Sequence, residues 1–163
     1  MELQKRKPNR LKNYDYSQSG IYFITICTNN RKPILSKIQN NADTVGANCV
    51  RPSEIGMIIE KEILIMDSVY DNVNVDNYVI MPNHIHLLIR IEDSGRTQFA
   101  PTINRIIKQF KGSITKQIGK SIWQKSFYDH IIRNEDDYLI RMQYINDNPS
   151  KWLDDELYCE RNE

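Results

Sequence analysis

The length, composition and charge of the chain indicate one ordinary domain. Its 163 residues are 40% hydrophobic and 26% charged, and 22 Lys and Arg residues balance 21 Asp and Glu residues to a net charge of +1. This length favours a single domain over residues 1–163, and the apolar fraction excludes a disordered or fibrous chain. The near-zero charge excludes a uniformly basic surface, but it still allows a nucleic-acid binder whose charges are segregated along the chain.

The cysteine content and the length of the apolar runs exclude further classes of protein. The three cysteines, Cys27, Cys49 and Cys159, have no C-x-x-C spacing, which argues against a disulfide framework and against a thiolate zinc site. No apolar run approaches the roughly 18 residues of a membrane span, and no signal-peptide pattern follows the first residues. We therefore expect a cytoplasmic protein that does not interact with a membrane.

The first half of the chain predicts a strand, a helix and a hairpin. Alternating β-branched and aromatic residues predict a strand over 20–28, and the polar segment 29–52 predicts a long loop. Apolar residues at helical spacing predict a helix over 53–72. The apolar stretch that follows is broken at the pair Pro82-Asn83, which predicts two strands joined by a tight turn.

The second half predicts two more helices around a fourth strand. One apolar face predicts a helix over 101–118, and the segment 121–133 predicts a strand. Asn134 is a suitable cap for a last helix, which Pro149 ends. The first six elements form the β-α-β-β-α-β order of ferredoxin-like α+β folds, in which two helices pack on one face of a four-stranded antiparallel sheet. The last helix is then an addition at the C-terminal end.

Two of the three histidines lie two residues apart in a predicted strand. His84 and His86 would project from the same face, because alternate residues of a strand point the same way. This geometry chelates a metal ion, and neutral imidazoles suit several divalent metals. The alternative is a pair that is satisfied by hydrogen bonds or by solvent. His130, the third histidine, is a candidate third metal ligand, although a histidine in a strand is more often structural.

A tyrosine and an amide share one face of the predicted last helix. Tyr144 and Asn148 are four residues apart, which places them about one turn from each other. A tyrosine nucleophile needs a metal or a basic surrounding, because its ordinary pKa is near 10. The alternative is that Tyr144 packs in the core while Asn148 caps the helix. Tyr128 and Tyr138 are weaker candidates, since neither has an amide one turn ahead.

Charges are segregated along the chain. The N-terminal arm, about 1–13, is basic, and the tail, about 153–163, is acidic. The predicted helix over 101–118 carries basic residues and no acidic ones. A basic segment of this kind holds a phosphate backbone, although a solvated helix face is the alternative. The candidate DNA-binding residues are Arg105, Lys108, Lys111 and Lys116.

Several motifs together resemble a known family. The string YVIMPNHIHLLI resembles the His-hydrophobe-His motif of the HUH endonucleases, and MQYINDNPSKW resembles the tyrosine helix of their single-tyrosine transposases. The chain is most similar to the REP-associated tyrosine transposases, relatives of the smallest bacterial insertion-sequence transposases. The resemblance extends over about 10–152. It implies a ferredoxin-like or RRM-like sheet with the histidines on a central strand and the tyrosine helix across them.

The resemblance also implies a site and a reaction. His84, His86 and Asn148 would bind a divalent metal, Mg or Mn, and Tyr144 would be the nucleophile. Relatives often have Gln at the position of Asn148. The implied activity is nicking and rejoining of single-stranded, hairpin-forming DNA through a 5′-phosphotyrosine, by a protein that is a possible homodimer.

Two other functions fit parts of the pattern. The first is a non-catalytic, RRM-like nucleic-acid-binding protein whose histidines hold no metal. The second is a small metal-dependent hydrolase of other substrates, which would need carboxylate ligands. The predicted set of His84, His86, Tyr144 and Asn148 contains none.

Overall fold

The fold is seen in a computed structural model that describes residues 18–40, 48–93 and 101–158. In the described residues the strands and helices follow in the order β1 (Gly20–Cys27), β2 (Ser36–Asn40), β3 (Asn48–Pro52), α1 (Glu54–Leu64), α2 (Met66–Val69), β4 (Val73–Ile80), β5 (His84–Ile91), α3 (Ile103–Ile118), β6 (Tyr128–Ile132) and α4 (Glu135–Asp147). The N-terminal arm and residues 159–163 of the acidic tail lie outside this part of the chain. None of the helices within it has the length and apolar character that a membrane crossing requires.

Four strands form the main sheet in the order β4-β5-β1-β6. Every neighbouring pair is antiparallel, and β1 and β5 are the two central strands. This is the strand order that the β-α-β-β-α-β arrangement produces, so the ferredoxin-like prediction is confirmed. The central position of β5 places both histidines in the middle of the sheet.

The two faces of the sheet carry different helices. Ile85, Leu87 and Ile89 of β5 join the main core, to which α1 and α3 contribute buried isoleucines. Leu88 belongs to a smaller cluster with Phe23 of β1 and Ile145 of α4 on the opposite face. Because side chains alternate along a strand, His84 and His86 share this second face with α4.

The predicted long loop over 29–52 is wrong, because it contains a second, two-stranded sheet. Strands β2 and β3 pair antiparallel, with Ser36 opposite Pro52 and Ile38 opposite Val50. Ser36 is buried, and its hydroxyl donates to the backbone oxygen of Ile80 (2.8 Å). The two strands are held together by hydrogen bonds between backbone groups. Their side chains are largely polar, so the amino-acid composition indicated a loop.

Two other elements are shorter than predicted. The helix predicted over 53–72 is divided at Ile65, which ends α1 and precedes α2. The apolar periodicity continues past this break because Met66 is still buried. The strand predicted over 121–133 is regular only from Tyr128, since residues before it bond irregularly to the end of β1, as in the bond from Gln124 N to Cys27 O (2.9 Å).

Candidate active site

The two histidines are positioned by the tight turn between β4 and β5. Met81 N donates to His84 O (2.9 Å), which closes the turn at the first residue of β5. Thr28 N donates to Asn83 O (2.9 Å) and ties the turn to the end of β1. Both histidine side chains are buried, and the ring of His86 stacks on Phe23 with centroids 5.1 Å apart.

The imidazoles converge through their Nε2 atoms, which are 3.1 Å apart. Nδ1 of His84 lies 2.8 Å from Oδ1 of Asn83, and Nδ1 of His86 lies 2.8 Å from the hydroxyl of Thr25. An amide oxygen only accepts, so Nδ1 of His84 donates and its Nε2 carries the lone pair. The Thr25 hydroxyl is able to accept from His86 in the same way. Two facing lone pairs repel at this distance unless a proton or a cation lies between them.

Burial keeps both imidazoles neutral. It lowers the pKa of His84 to about 4, against opposing effects of the Asp155 carboxylate and the Asn148 amide. Burial, and then the repulsion that a protonated His84 would exert, lower the pKa of His86 well below its usual value. A neutral imidazole is the form that binds metal ions, so the pair is ready for ligation at neutral pH.

Helix α4 brings the tyrosine and the amide to the same place. Asn134 caps the helix by accepting from Asp137 N (2.9 Å), and the helix packs against β4, β5 and β6. The ring of Tyr144 lies 5.2 Å from that of His86, centroid to centroid, and the side chain is 41% exposed. Asn148 directly follows the helix and is buried, and its Oδ1 forms no hydrogen bond with the described residues.

The environment of Tyr144 disfavours the phenolate. Burial, followed by the negative charge of Asp155, raises the pKa of the Tyr144 phenol above 10. The side chain borders a cavity of about 530 Å³. The residues around this cavity include Phe23, Thr25, His86, Arg141, Tyr144 and Asp155. A phenol, an imidazole and a guanidinium therefore border one cavity.

The structure adds a carboxylate that the sequence analysis missed. Asp155 lies after α4, and its Oδ2 is 3.9 Å from Nε2 of His84. Ligand atoms of His84, His86 and Asp155 all lie within 4.8 Å of one another. A carboxylate that the predicted set of four residues did not include therefore lies beside the histidines. Its only signal in the sequence was membership of the acidic tail.

Comparison with known proteins identifies the relatives of the chain. It is 31% identical over 179 residues to an uncharacterized protein of Haemophilus influenzae, in an alignment that covers 97% of this chain and 96% of that protein. It is 36% identical over 78 residues to the REP-associated tyrosine transposase of Escherichia coli (strain K12). A second Haemophilus influenzae protein with the same family name is 32% identical over 82 residues. No family model matches the chain.

The chain belongs to one family with the uncharacterized Haemophilus protein. It is a relative of the REP-associated tyrosine transposases. The alignments with the two named transposases cover 47% and 44% of this chain, and 44% and 47% of the transposases, so the chain spans about half of their length.

A solved structure has the same fold as this relative of the REP-associated tyrosine transposases. It is the structure of a REP-associated tyrosine transposase bound to a REP hairpin, with a TM-score of 0.63 and 22% identity. The match covers 87% of this chain and 73% of that chain. At this identity the similarity concerns the fold, and it agrees with the α+β sheet described above.

The predicted DNA-binding residues of this transposase relative lie away from the histidines. They belong to α3, which packs on the opposite face of the sheet. Arg105, Lys108 and Lys116 are exposed. Nζ of Lys111 instead donates to the backbone oxygens of Gln124 (2.6 Å) and Lys125 (3.3 Å), and burial lowers the pKa of this lysine. Lys111 therefore connects α3 to the segment before β6.

The structure also locates the third histidine and the two tyrosines that were weaker candidates for the nucleophile. Nε2 of His130 pairs with Asp137 of α4 (2.8 Å), outside the histidine pair. The phenol of Tyr138 donates to Asp76 (3.1 Å). Tyr128 is half-exposed and borders the same cavity as Tyr144, which makes it a useful comparison residue.

Proposed function

We propose that the chain is a metal-dependent transposase that nicks and rejoins single-stranded DNA, with Tyr144 as its nucleophile. The observation that supports this best is the convergence of four groups from two elements, β5 and the end of α4. Nε2 of His84 and Nε2 of His86 lie 3.1 Å apart, the buried Asn148 amide is close enough to His84 to affect its pKa, and the ring of Tyr144 contacts His86. The relationship to the REP-associated tyrosine transposases supports the same activity.

The residues fit a divalent ion, which we propose to be Mg or Mn. Two ligands at right angles around an ion, each about 2.1 Å from it, are about 3 Å apart, which agrees with the separation of the two Nε2 atoms. The buried Oδ1 of Asn148 supplies an oxygen that has no other partner among the described residues. A bound divalent ion would supply Lewis-acid chemistry that offsets negative charge developing on a phosphate.

The side chains of the protein perform the remaining tasks. Asn83 and Thr25 orient the imidazoles through their Nδ1 atoms. The guanidinium of Arg141 borders the cavity, where it suits the charge of a phosphate. The phenol oxygen of Tyr144 attacks phosphorus in line as the bond from phosphorus to the 3′ oxygen breaks. Tyr144 loses its proton, the released 3′ oxygen gains one, and the 5′ phosphate stays on the tyrosine.

Rejoining follows from the energy of the bonds. One phosphodiester is exchanged for another of similar energy, so the step is reversible and requires no nucleotide. Attack on the phosphotyrosine by a different 3′ hydroxyl completes strand transfer. We propose hairpin-forming single-stranded DNA as the substrate, with Arg105, Lys108 and Lys116 contacting its backbone, while Nζ of Lys111 is held by the backbone oxygens of Gln124 and Lys125. The solved neighbour that holds a REP hairpin supports the choice of hairpin.

A labelled-adduct experiment tests this function. The protein is incubated with Mn²⁺ and a pool of stem-loop oligonucleotides with single-stranded flanks, labelled at either the 5′ or the 3′ end. A 5′-phosphotyrosine retains the 3′ portion of the DNA, so only the 3′ label should migrate with the denatured protein. Tyr144→Phe should lose this adduct, because no hydroxyl is left to attack. Tyr128→Phe is the matched control and should keep the adduct, since it alters another tyrosine of the same cavity.

The other outcomes discriminate between functions. Persistence of the adduct in Tyr144→Phe would show that the nucleophile is a different residue. Migration of the 5′ label with the protein would reverse the proposed polarity. Binding of the hairpins without any adduct, and with affinity unchanged by EDTA, would favour the non-catalytic RRM-like alternative.

A further inference from the structure

The segment that follows α4 returns to the start of β5. Trp152 is buried, and its ring lies 5.9 Å from that of His84, centroid to centroid. Nδ2 of Asn83 donates to the backbone oxygen of Leu157 (2.7 Å), and Nη1 of Arg31 donates to that of Glu156 (3.3 Å). Residues 152–157 are therefore held against the histidine pair at several points.

This return places one buried carboxylate beside the two imidazoles. The side chain of Asp155 is only 5% exposed. Its Oδ1 accepts from Leu157 N (2.7 Å), which fixes the orientation of the group. Its Oδ2 is 3.9 Å from Nε2 of His84, a distance too long for a hydrogen bond. One oxygen is thus satisfied by the backbone, while the other faces the converging nitrogens.

We propose that Asp155 is a further ligand of the divalent ion at His84 and His86. The inference rests on the proposed function, because it concerns the same ion. Burial of a carboxylate away from water is costly unless a positive partner compensates for it. A divalent ion between the three groups, whose ligand atoms lie within 4.8 Å of one another, supplies that charge. A carboxylate also gives Mg or Mn the anionic oxygen ligand that both prefer and that Asn148 does not provide.

The first measurement is the affinity for Mn²⁺ without DNA, by titration calorimetry on the full chain. Asp155→Asn should weaken binding about 10- to 100-fold, the range found when groups around a metal are altered. The amide of this variant still offers an oxygen to Leu157 N, so the segment after α4 is expected to stay in place. Asp154→Asn is the matched control: it removes the same charge from the adjacent, exposed residue and should change the affinity less than about twofold.

The second measurement separates a ligand from a charge that acts at a distance. Co²⁺ replaces Mn²⁺, because the visible absorption bands of Co²⁺ respond to the identity and number of its ligands. Asp155→Asn should shift these bands, and Asp154→Asn should leave them unchanged. Weaker Mn²⁺ binding with an unaltered Co²⁺ spectrum would overturn the proposal, since the carboxylate would then act only through its field.

The outcome also distinguishes this proposal from the proposed function. If Asp155→Asn binds both ions as the wild type does, and His84→Gln abolishes binding, the proposal fails while the histidine metal site stands. If the wild-type chain binds neither Mn²⁺ nor Co²⁺, the metal dependence of the proposed function fails as well. The tyrosine adduct is scored in a separate assay.

Discussion

The side chain of Asn83 connects two parts of the site. Its Oδ1 accepts from Nδ1 of His84 (2.8 Å), and its Nδ2 donates to the backbone oxygen of Leu157 (2.7 Å). One amide thus fixes the tautomer of an imidazole and holds the segment that contains Asp155. Partners of this kind orient metal-binding histidines and raise their basicity.

We predict that Asn83→Ala lowers the affinity for Mn²⁺ by about 10- to 100-fold, because His84 loses the acceptor that directs its lone pair to the ion. Titration calorimetry measures the effect. Asn72→Ala is the matched control, since Asn72 is also buried and its amide also donates to a backbone oxygen, that of Glu92, in another part of the fold. Equal Mn²⁺ affinities of the two variants would contradict a role for Asn83 in orienting the histidine.

Regular spacing explains which site residues were predictable. His84 and His86 alternate along a strand, and Tyr144 and Asn148 are one helical turn apart, so sequence periodicity predicted that each pair shares a direction. The structure brings the two pairs together, while their chemical roles stay predictions. Asp155 lies in an irregular segment whose path depends on hydrogen bonds made by Asn83 and Arg31. A periodic pattern in the sequence cannot indicate the path of such a segment.

At the scale of elements, the start of α1 fits closely against the segment before β2. Ser53 caps the helix by accepting from Gly56 N (3.1 Å), and its hydroxyl approaches the backbone oxygen of Leu35 (2.9 Å). A Cβ atom at Gly56 would lie 2.1 Å from that same oxygen. The glycine is therefore required by a close approach of two backbones.

We predict that Gly56→Ala lowers the free energy of unfolding by about 1–3 kcal/mol or more, because backbone must move to admit the methyl group. Gly112→Ala, within α3, is the matched control. A Cβ at Gly112 has no heavy atom within 4 Å, and alanine is favoured over glycine inside a helix by roughly 0.5–1 kcal/mol. Urea denaturation should therefore move the two midpoints in opposite directions. A Gly56→Ala midpoint equal to that of the wild type would refute the close approach.

The elements differed in how well the sequence predicted them. Helix α3 was predicted well because its buried residues form one stripe; in the structure Thr102 caps its start, and Gly119 follows its end at a positive φ of 79°. The hairpin of β2 and β3 was missed because its stability comes from backbone pairing and from contacts with distant residues such as Ile80. The amino-acid composition of residues 29–52 indicates neither backbone pairing nor contacts with distant residues.

At the scale of the whole molecule, the sheet separates two kinds of surface. The histidines and α4 occupy one face, and the exposed basic residues of α3 lie on the other. DNA that contacts both surfaces must pass around an edge of the sheet. The basic residues are therefore expected to contribute affinity without altering the chemistry at Tyr144.

We predict that Lys108→Ala weakens binding of the stem-loop oligonucleotides and reduces the slope of log affinity against log salt by about 1, as expected for one lost phosphate contact. Its free energy of unfolding should be unchanged, because Lys108 is exposed. Lys111→Ala is the informative comparison and should lower stability, since its Nζ holds the backbone before β6. An unchanged salt slope in Lys108→Ala would indicate that this face of α3 is merely solvated.

The proposed metal ligands lie far apart in the sequence, which determines when the site can form during synthesis of the chain. Thr25, which orients His86, is translated early; His84 and His86 follow, and Asn148 and Asp155 come much later. A nascent chain that has already formed the β1–β5 pair still lacks α4 with Tyr144 and the segment that carries Asp155. Under the proposed function, the ability to cut a DNA strand therefore appears only after translation has passed residue 155, and a product that ends earlier would leave DNA uncut.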